Sequence, residues 1–274
     1  GSTIVQSLFK LGHDITIVDP VFNEKLSNKI TQINEPYTDW EKMDNLLAET
    51  DLVIHLAAML GVDACENSPN EALYCNGISA CRFFDRCKAM NVKHVIYTSS
   101  SEVYGDIENA SEESLVSPKS DYAIAKLYSE KYLKSISSKS FKSHVLRLFS
   151  VYGSKQREDF VISRFMKQAM NGKKISIFGE GTQTRAFCHV NDVCRAILLC
   201  IDNREVMTEN STLLNIGNPN EPITMKDLAL KILEINNLTV EKNLEFISLK
   251  KTTRGEKREI FMRTPSIKKA KEIL

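Results

Sequence analysis

His94-Val95-Ile96-Tyr97-Thr98-Ser99-Ser100-Ser101-Glu102-Val103-Tyr104-Gly105, followed shortly by Tyr122-Ala123-Ile124-Ala125-Lys126, decides how this chain folds. The first stretch is an apolar run of strand length that ends in small hydroxyl side chains. The second opens a stretch of helical spacing that continues to Ser135. Working outward, Ile15–Val18, Asp51–Leu56 and His144–Leu148 are further buried-strand runs, and Leu73–Met90 reads as another helix. Strand, helix, strand at this spacing predicts an α/β fold with a parallel sheet covered on both faces. Beyond about residue 150 the pattern is mixed, with helices near 160–171, 191–202 and 224–236 between short strands. That predicts a smaller mixed α/β lobe on the sheet. No internal repeat or low-complexity linker interrupts the chain.

The 274 residues include 42% hydrophobic and 26% charged side chains, the balance of a globular protein. Lys plus Arg number 36 against 35 Asp plus Glu, which gives no electrostatic reason to expect nucleic acid or an anionic membrane as partner. A small anionic ligand needs only a few local Arg residues. No apolar run approaches the roughly 18 residues of a membrane span, and no signal peptide opens the chain. The seven cysteines form no CxxC pair. Two runs of them are spaced by six, which turns successive thiols about 240° apart on a helix and argues against a shared metal. Reduced core thiols, as in a cytoplasmic protein, are the expectation.

Tyr122 and Lys126, at i and i+4, share a helix face. An ammonium beside a phenol is expected to lower the phenol pKa toward the working range. The phenolate can then take a proton from a hydroxyl while hydride leaves the same carbon for a nicotinamide. Ser100, ending the preceding strand, can hydrogen-bond that hydroxyl. Asp51–Ala58, DLVIHLAA, ends a strand in small residues, so the backbone at Leu56, Ala57 and Ala58 can approach a flat cofactor. His55 reads as a structural histidine. Asp19 closes the second strand where a carboxylate accepts from ribose hydroxyls and repels a 2′-phosphate, which favours NAD over NADP.

The chain opens in helical pattern at Gly1-Ser2-Thr3-Ile4. In a dinucleotide-binding fold this is the helix that leads into the second strand. The first strand and the early glycines of its phosphate loop are expected to precede it, as part of a longer protein. Gly1 is then the last glycine of that fingerprint, or a cloning remnant.

Together DLVIHLAA, TSSSEVYGD, YAIAK, the Arg147–Gly153 strand RLFSVYG and Gly179–Val193, GEGTQTRAFCHVNDV, resemble the extended short-chain dehydrogenase/reductase family, and within it the nucleotide-sugar epimerases, dehydratases and decarboxylases. The resemblance covers nearly the whole chain. It implies a Rossmann-type, doubly wound NAD domain at 1–152, to which about 180–202 returns, and a nucleotide-sugar lobe at 153–274. It implies a catalytic Ser100, Tyr122 and Lys126, the lysine also reaching the nicotinamide ribose, with Ser99 and Asn76 near the cofactor. Arg185 and Arg254 match positions that contact the sugar-nucleotide diphosphate, where a bidentate fork suits phosphate. It implies a homodimer joined through helices around 73–91 and 120–136, for which Phe83, Phe84, Ile124, Leu127 and Tyr128 supply apolar surface; burial within the monomer is the alternative. Ser150 stands where many relatives carry Asn, and Glu35-Pro36 replaces the usual Gly-Asp beside the adenine.

The outcome of the reaction is open at this point. Simple 4-epimerases usually carry a small residue at the position of Glu102, whereas a carboxylate there is the pattern of 4,6-dehydratases and decarboxylases. Ser101 replaces the dehydratases' Asp. Arg263 sits where decarboxylases carry an arginine able to face a sugar carboxylate. The shared expectation is oxidation at sugar C4 to a 4-keto intermediate, followed by epimerisation, elimination or decarboxylation, or by release as a simple oxidation product. A non-catalytic dinucleotide sensor is the rival from another class, and such relatives typically lose the Tyr–Lys pair.

Overall fold

The computed structural model describes residues 1–21, 26–204, 207–251 and 255–274. Its strands are β1 (Thr16–Val18), β2 (Thr31–Ile33), β3 (Leu52–His55), β4 (His94–Ser100), β5 (Ile107–Ala110), β6 (Lys142–Leu148), β7 (Val151–Tyr152), β8 (Ile175–Phe178), β9 (Thr184–Ala186), β10 (Cys188–His189), β11 (Ser211–Ile216), β12 (Pro222–Thr224), β13 (Leu244–Ile247) and β14 (Met262–Pro265). The α-helices are α1 (Ser2–Lys10), α2 (Trp40–Ala48), α3 (Val62–Asn67), α4 (Pro69–Leu73), α5 (Ala80–Ala89), α6 (Asp121–Ile136), α7 (Val161–Met170), α8 (Val190–Asp202), α9 (Met225–Ile235), α10 (Val240–Asn243), α11 (Gly255–Arg258) and α12 (Lys268–Ile273). A π-helical turn, Tyr74–Ser79, joins α4 to α5.

The expected parallel sheet is present, in the order β11-β6-β4-β3, with every pairing parallel. β1 and β2 form a second parallel pair. Parallel strands covered on both faces need apolar side chains on both, and β4 and β6 supply them. Ile96, Leu146 and Leu214 face a core built with α1 and α8. Val95, Tyr97 and Val145 face the other, built with α2, α5 and α6. Val18 packs against the second core and Ile15 against the first, so the β1–β2 pair borders the same two layers as β3.

A third core lies between α7, β8 and α9, with β13 paired parallel to β8. The mixed sheet β12-β9-β14-β5 connects this region to the segment after β4. The division at residue 152 needs one correction. β11, placed by sequence in the second lobe, pairs with β6, because Leu214 and Ile216 complete the core under α8.

The seven cysteines are free of disulfides, six of them buried and Cys75 half-buried. Among the described residues no helix is long and apolar enough to cross a membrane.

Candidate active site

β4 and α6 bring the chemistry together. Ser100 ends β4, at the carboxyl edge where open parallel sheets bind ligands. The chain then makes a single 3-10 turn, Ser101–Tyr104, and leaves it through Gly105 at φ 74°. A Cβ on Gly105 would stand 2.3 Å from the Ser117 carbonyl oxygen, so only glycine serves there. Helix α6 begins where it does because Ser120, in extended conformation, caps it by accepting the Ala123 N–H at 3.2 Å. The same hydroxyl reaches Glu102 Oε2 at 3.3 Å, which ties the helix start to the turn.

Tyr122 therefore lies in the first turn of α6 and Lys126 one turn later. Ser100, which lowers the Tyr122 pKa from beside it, has an Oγ that accepts the Glu102 N–H at 3.2 Å. Lys126 is 2% exposed, donates to the Thr98 carbonyl at 2.9 Å, and stands 4.7 Å from the Tyr97 ring centre and 6.0 Å from that of Tyr122. Burial lowers its pKa to about 8. The expectation of a depressed Tyr122 pKa is corrected. Burial pushes this phenol well above its ordinary value, and the Glu102 charge pushes it further, against the opposing effects of Ser100 and Arg263. The ammonium is directed at the Thr98 carbonyl instead of the phenol oxygen.

Glu102 and Arg263 form an ion pair at 3.0 Å, both about nine-tenths buried, which joins β14 to the turn after β4. Arg263 Nε is buried and meets no hydrogen-bond partner among the described residues.

These groups line a cavity of about 900 Å³ that runs from the N-terminus of α1 to the α7–β8 region. Of the expected residues, Gly1, Leu56, Ala58, Ser99, Ser100, Ser101, Glu102, Tyr122, Lys126, Ser150, Arg185 and Arg263 line it. Ser150 holds a left-handed φ of 34° just past β6. Ser99 turns its hydroxyl to Glu130, and Ser101 is 1% exposed. Asp19, Ala57 and Asn76 are not in the lining. Asp19 is exposed and accepts from the Val21 N–H at 2.8 Å. Asn76 spends its amide on the Met59 peptide, accepting at 2.8 Å and donating at 3.0 Å, so it fastens the 56–61 segment from behind. Arg185 lines the cavity while donating to the Thr184 and Ile260 carbonyls at 2.9 and 2.7 Å. Arg254 lies outside the described residues.

Sequence reading missed Lys155, Arg157 and Arg164, which line the same cavity. Arg157 pairs with Asp159 at 2.8 Å, and Arg164 lies 4.7 Å from the Phe178 ring centre. The lining thus carries six basic side chains against three acidic, the polarity an anionic ligand requires. It also missed the buried Arg147–Glu130 pair at 2.7 Å, although Glu130 continues the i, i+4 series of Tyr122 and Lys126.

A family model described as the NAD dependent epimerase/dehydratase family matches residues 1–217. The chain belongs to that family. A UDP-N-acetyl-alpha-D-glucosaminuronate decarboxylase of Bacillus cytotoxicus is 28% identical over all of this chain and 88% of its own length. The structure of MoeE5 in complex with UDP-glucuronic acid and NAD is 28% identical, with a TM-score of 0.86 over all of this chain and 88% of that one. The UDP-glucuronic acid 4-epimerase of Bacillus cereus, in complex with UDP-glucuronic acid and NAD, is 26% identical, with a TM-score of 0.85 over 100% and 89%.

The family is NAD-dependent, and this cavity fits such a cofactor. Gly1, Ser2 and Thr3, at the N-terminus of α1, line the cavity, and a helix N-terminus favours an anionic group. Leu56 and Ala58, just past the carboxyl end of β3, offer a small apolar wall, and Lys126 and Tyr122 line the same cavity beside the carboxyl end of β4.

Proposed function

We propose that the protein oxidises C4 of a UDP-linked hexuronate with bound NAD, and that the 4-keto sugar then loses its carboxylate. One observation carries the reading: Arg263, whose buried Nε has no acceptor among the described residues, is paired to Glu102 in the cavity wall that also holds Ser100 and Tyr122. An unsatisfied buried guanidinium nitrogen is costly unless a ligand supplies the acceptor, and a sugar carboxylate matches it. The relatives named above, a uronate decarboxylase and two proteins solved with UDP-glucuronic acid, support the substrate class.

Ser100 and Tyr122 hold the C4 hydroxyl, and Tyr122 takes its proton. NAD, when bound, accepts the hydride from C4. A ketone at C4 lies β to the carboxylate on C5, so the C5–C6 bonding pair can pass into the C4 carbonyl as CO₂ departs. Arg263, held by Glu102, anchors the carboxylate, and C5 takes its proton from a water molecule once CO₂ has left. Tyr122 gives its proton back as C4 is reduced. Arg157, Arg164 and Arg185 supply positive charge for the diphosphate, and Arg254 is proposed with them. The 153–274 region, apart from the segments that return to the main sheet, is proposed as the nucleotide-sugar lobe.

The test is to supply the intact protein with NAD and UDP-glucuronate, follow the reduced nicotinamide band, and identify the product by NMR. Transient reduction with CO₂ release is expected. A retained carboxylate with inverted C4 would replace decarboxylation by epimerisation. No absorbance change with any UDP-, GDP-, dTDP- or CDP-sugar, despite bound NAD, would sink the catalytic reading.

We also propose a homodimer. Leu73, Tyr74 and Ile78 on α4 and the π turn, and Ile124 and Tyr128 on α6, are all more than two-fifths exposed on helices that pack side by side. Phe83 and Phe84, expected in that face, are buried instead in the core under α5, and Leu127 packs against the cluster of Val103, Tyr104, Ala110 and Phe149.

A further inference from the structure

Beneath the site lies a buried polar cluster that the proposed reaction does not use. Glu130, 4% exposed on α6, receives Arg147 Nε at 3.1 and 3.2 Å and Nη2 at 2.7 Å, and its Oε1 also accepts from the Ser99 hydroxyl. Arg147 is 2% exposed on β6, its guanidinium carbon over the Tyr104 ring, 4.6 Å from the ring centre. Burying two charges this deeply costs more than a surface pair returns, and an apolar pair would serve packing as well. The placement suggests a further use. Glu130 stands one helical turn beyond Lys126, as Lys126 stands one turn beyond Tyr122, so the three share a face.

We propose that Glu130, held in place by Arg147 and Ser99, is a positioning residue that keeps the buried Lys126 ammonium charged and directed at the Thr98 carbonyl. Around that ammonium are Tyr122 and Glu130 from α6, the Tyr97 ring and Thr98 carbonyl from β4, Cys75 from the π turn and His55 from β3, with Arg147 of β6 behind Glu130. His55 is neutral at working pH, since burial holds its pKa near about 3. Against burial, Cys75 first and Glu130 second favour the charged lysine, and Glu130 is the carboxylate of the two. Arg147 offsets it, so the pair sets the local field by the difference of two opposed charges. The catalytic consequence rests on the C4-oxidation reading; the electrostatic relation does not.

That relation makes opposite-signed predictions for the two partners. With ¹³Cε-labelled lysine in the substrate-free protein, and Lys126 assigned from Lys126→Arg, the titration midpoint should lie near about 8. Glu130→Gln leaves Arg147 uncompensated and should lower the midpoint by about one pH unit; Arg147→Met leaves Glu130 uncompensated and should raise it by about as much. The double variant should return close to the original value. A purely structural cluster would move both single variants in one direction or neither, and either result overturns the proposal. Glu130→Asp keeps both charges but withdraws the carboxylate by one methylene, so it carries the test if a neutral variant does not fold. Its midpoint should fall by a few tenths of a unit, and an unmoved midpoint overturns the proposal. Where turnover is measurable, the pH at which kcat declines should follow the NMR midpoint. Absence of turnover in every variant and in the parent would speak against the C4 reading alone.

Discussion

At the Tyr122 phenol, burial and the Glu102 charge act together against ionisation, and Ser100 and Arg263 oppose them without prevailing. The phenol is thus held as a hydrogen-bond donor until further positive charge arrives beside it. Tyr122→Phe should keep the fold and NAD binding but lower kcat by roughly 10²–10⁴, measured with saturating sugar nucleotide. A sensor that only binds dinucleotide would show no such change. Lys126 carries the complementary cost. Its folded pKa, near about 8, lies below the unfolded 10.5, so the unfolded chain binds more protons across that window. Stability therefore rises with pH from about 8 to 10.5, and the cost of burying the ammonium is fully present below it. Lys126→Met should raise the urea midpoint at pH 7, by about 1–3 kcal/mol of stability, while abolishing turnover. Loss of both properties together would argue against this weighing.

At the scale of elements, the 56–61 segment depends on a clamp from behind. The π turn carries Asn76 and packs against α6. Asn76→Ala leaves the Met59 peptide groups without partners, which costs about 1–3 kcal/mol. A lower melting temperature together with a raised Kd for NAD is the expected pair of results; a normal Kd would mean that the segment holds itself. Sequence reading fared unevenly here. Helix α6 was legible because Tyr122 and Lys126, one turn apart, are local signals, whereas its Ser120 cap went unread. The partner of Asn76 was not, because resemblance placed that residue at the cofactor while its contact, Met59, is 17 residues away across a loop. Nor did the buried Arg147–Glu130 pair show itself, since a strand residue and a helix residue meet only through the fold.

For the whole molecule, the parallel sheet was readable from unbroken apolar runs, whereas the return of β11 to its edge was not. Nothing local to Ser211–Ile216 says which strand it will join. Two properties of the assembled body can be tested. Replacing Ile124 and Tyr128 by Lys and Glu removes apolar area from the exposed α4–α6 face, and sedimentation should then show monomer where the proposed dimer is expected of the parent. Acid should weaken the fold well before its carboxylates protonate. His55 and His94 titrate near about 3 and His144 near about 4, because burial disfavours their cations, and His94 Nε2 meets His144 Nδ1 at 2.8 Å. Their pKa values lie below the unfolded 6.5, so stability is full above pH 6.5 and falls as pH drops toward 4. Urea unfolding at pH 7 and pH 5 should differ by about 1–2 kcal/mol per histidine, less any change in other groups.

The distribution of sulfur gives the protein a built-in clock for its own breathing. Six thiols are sealed and only Cys75 is partly open, so an aromatic disulfide reagent must wait for each segment to part before it can react. Cys65 is the most telling of them, since it rests against the Met59 carbonyl in the segment that Asn76 secures. Its labelling rate would register how often that segment lifts away, molecule by molecule, with no substrate in hand.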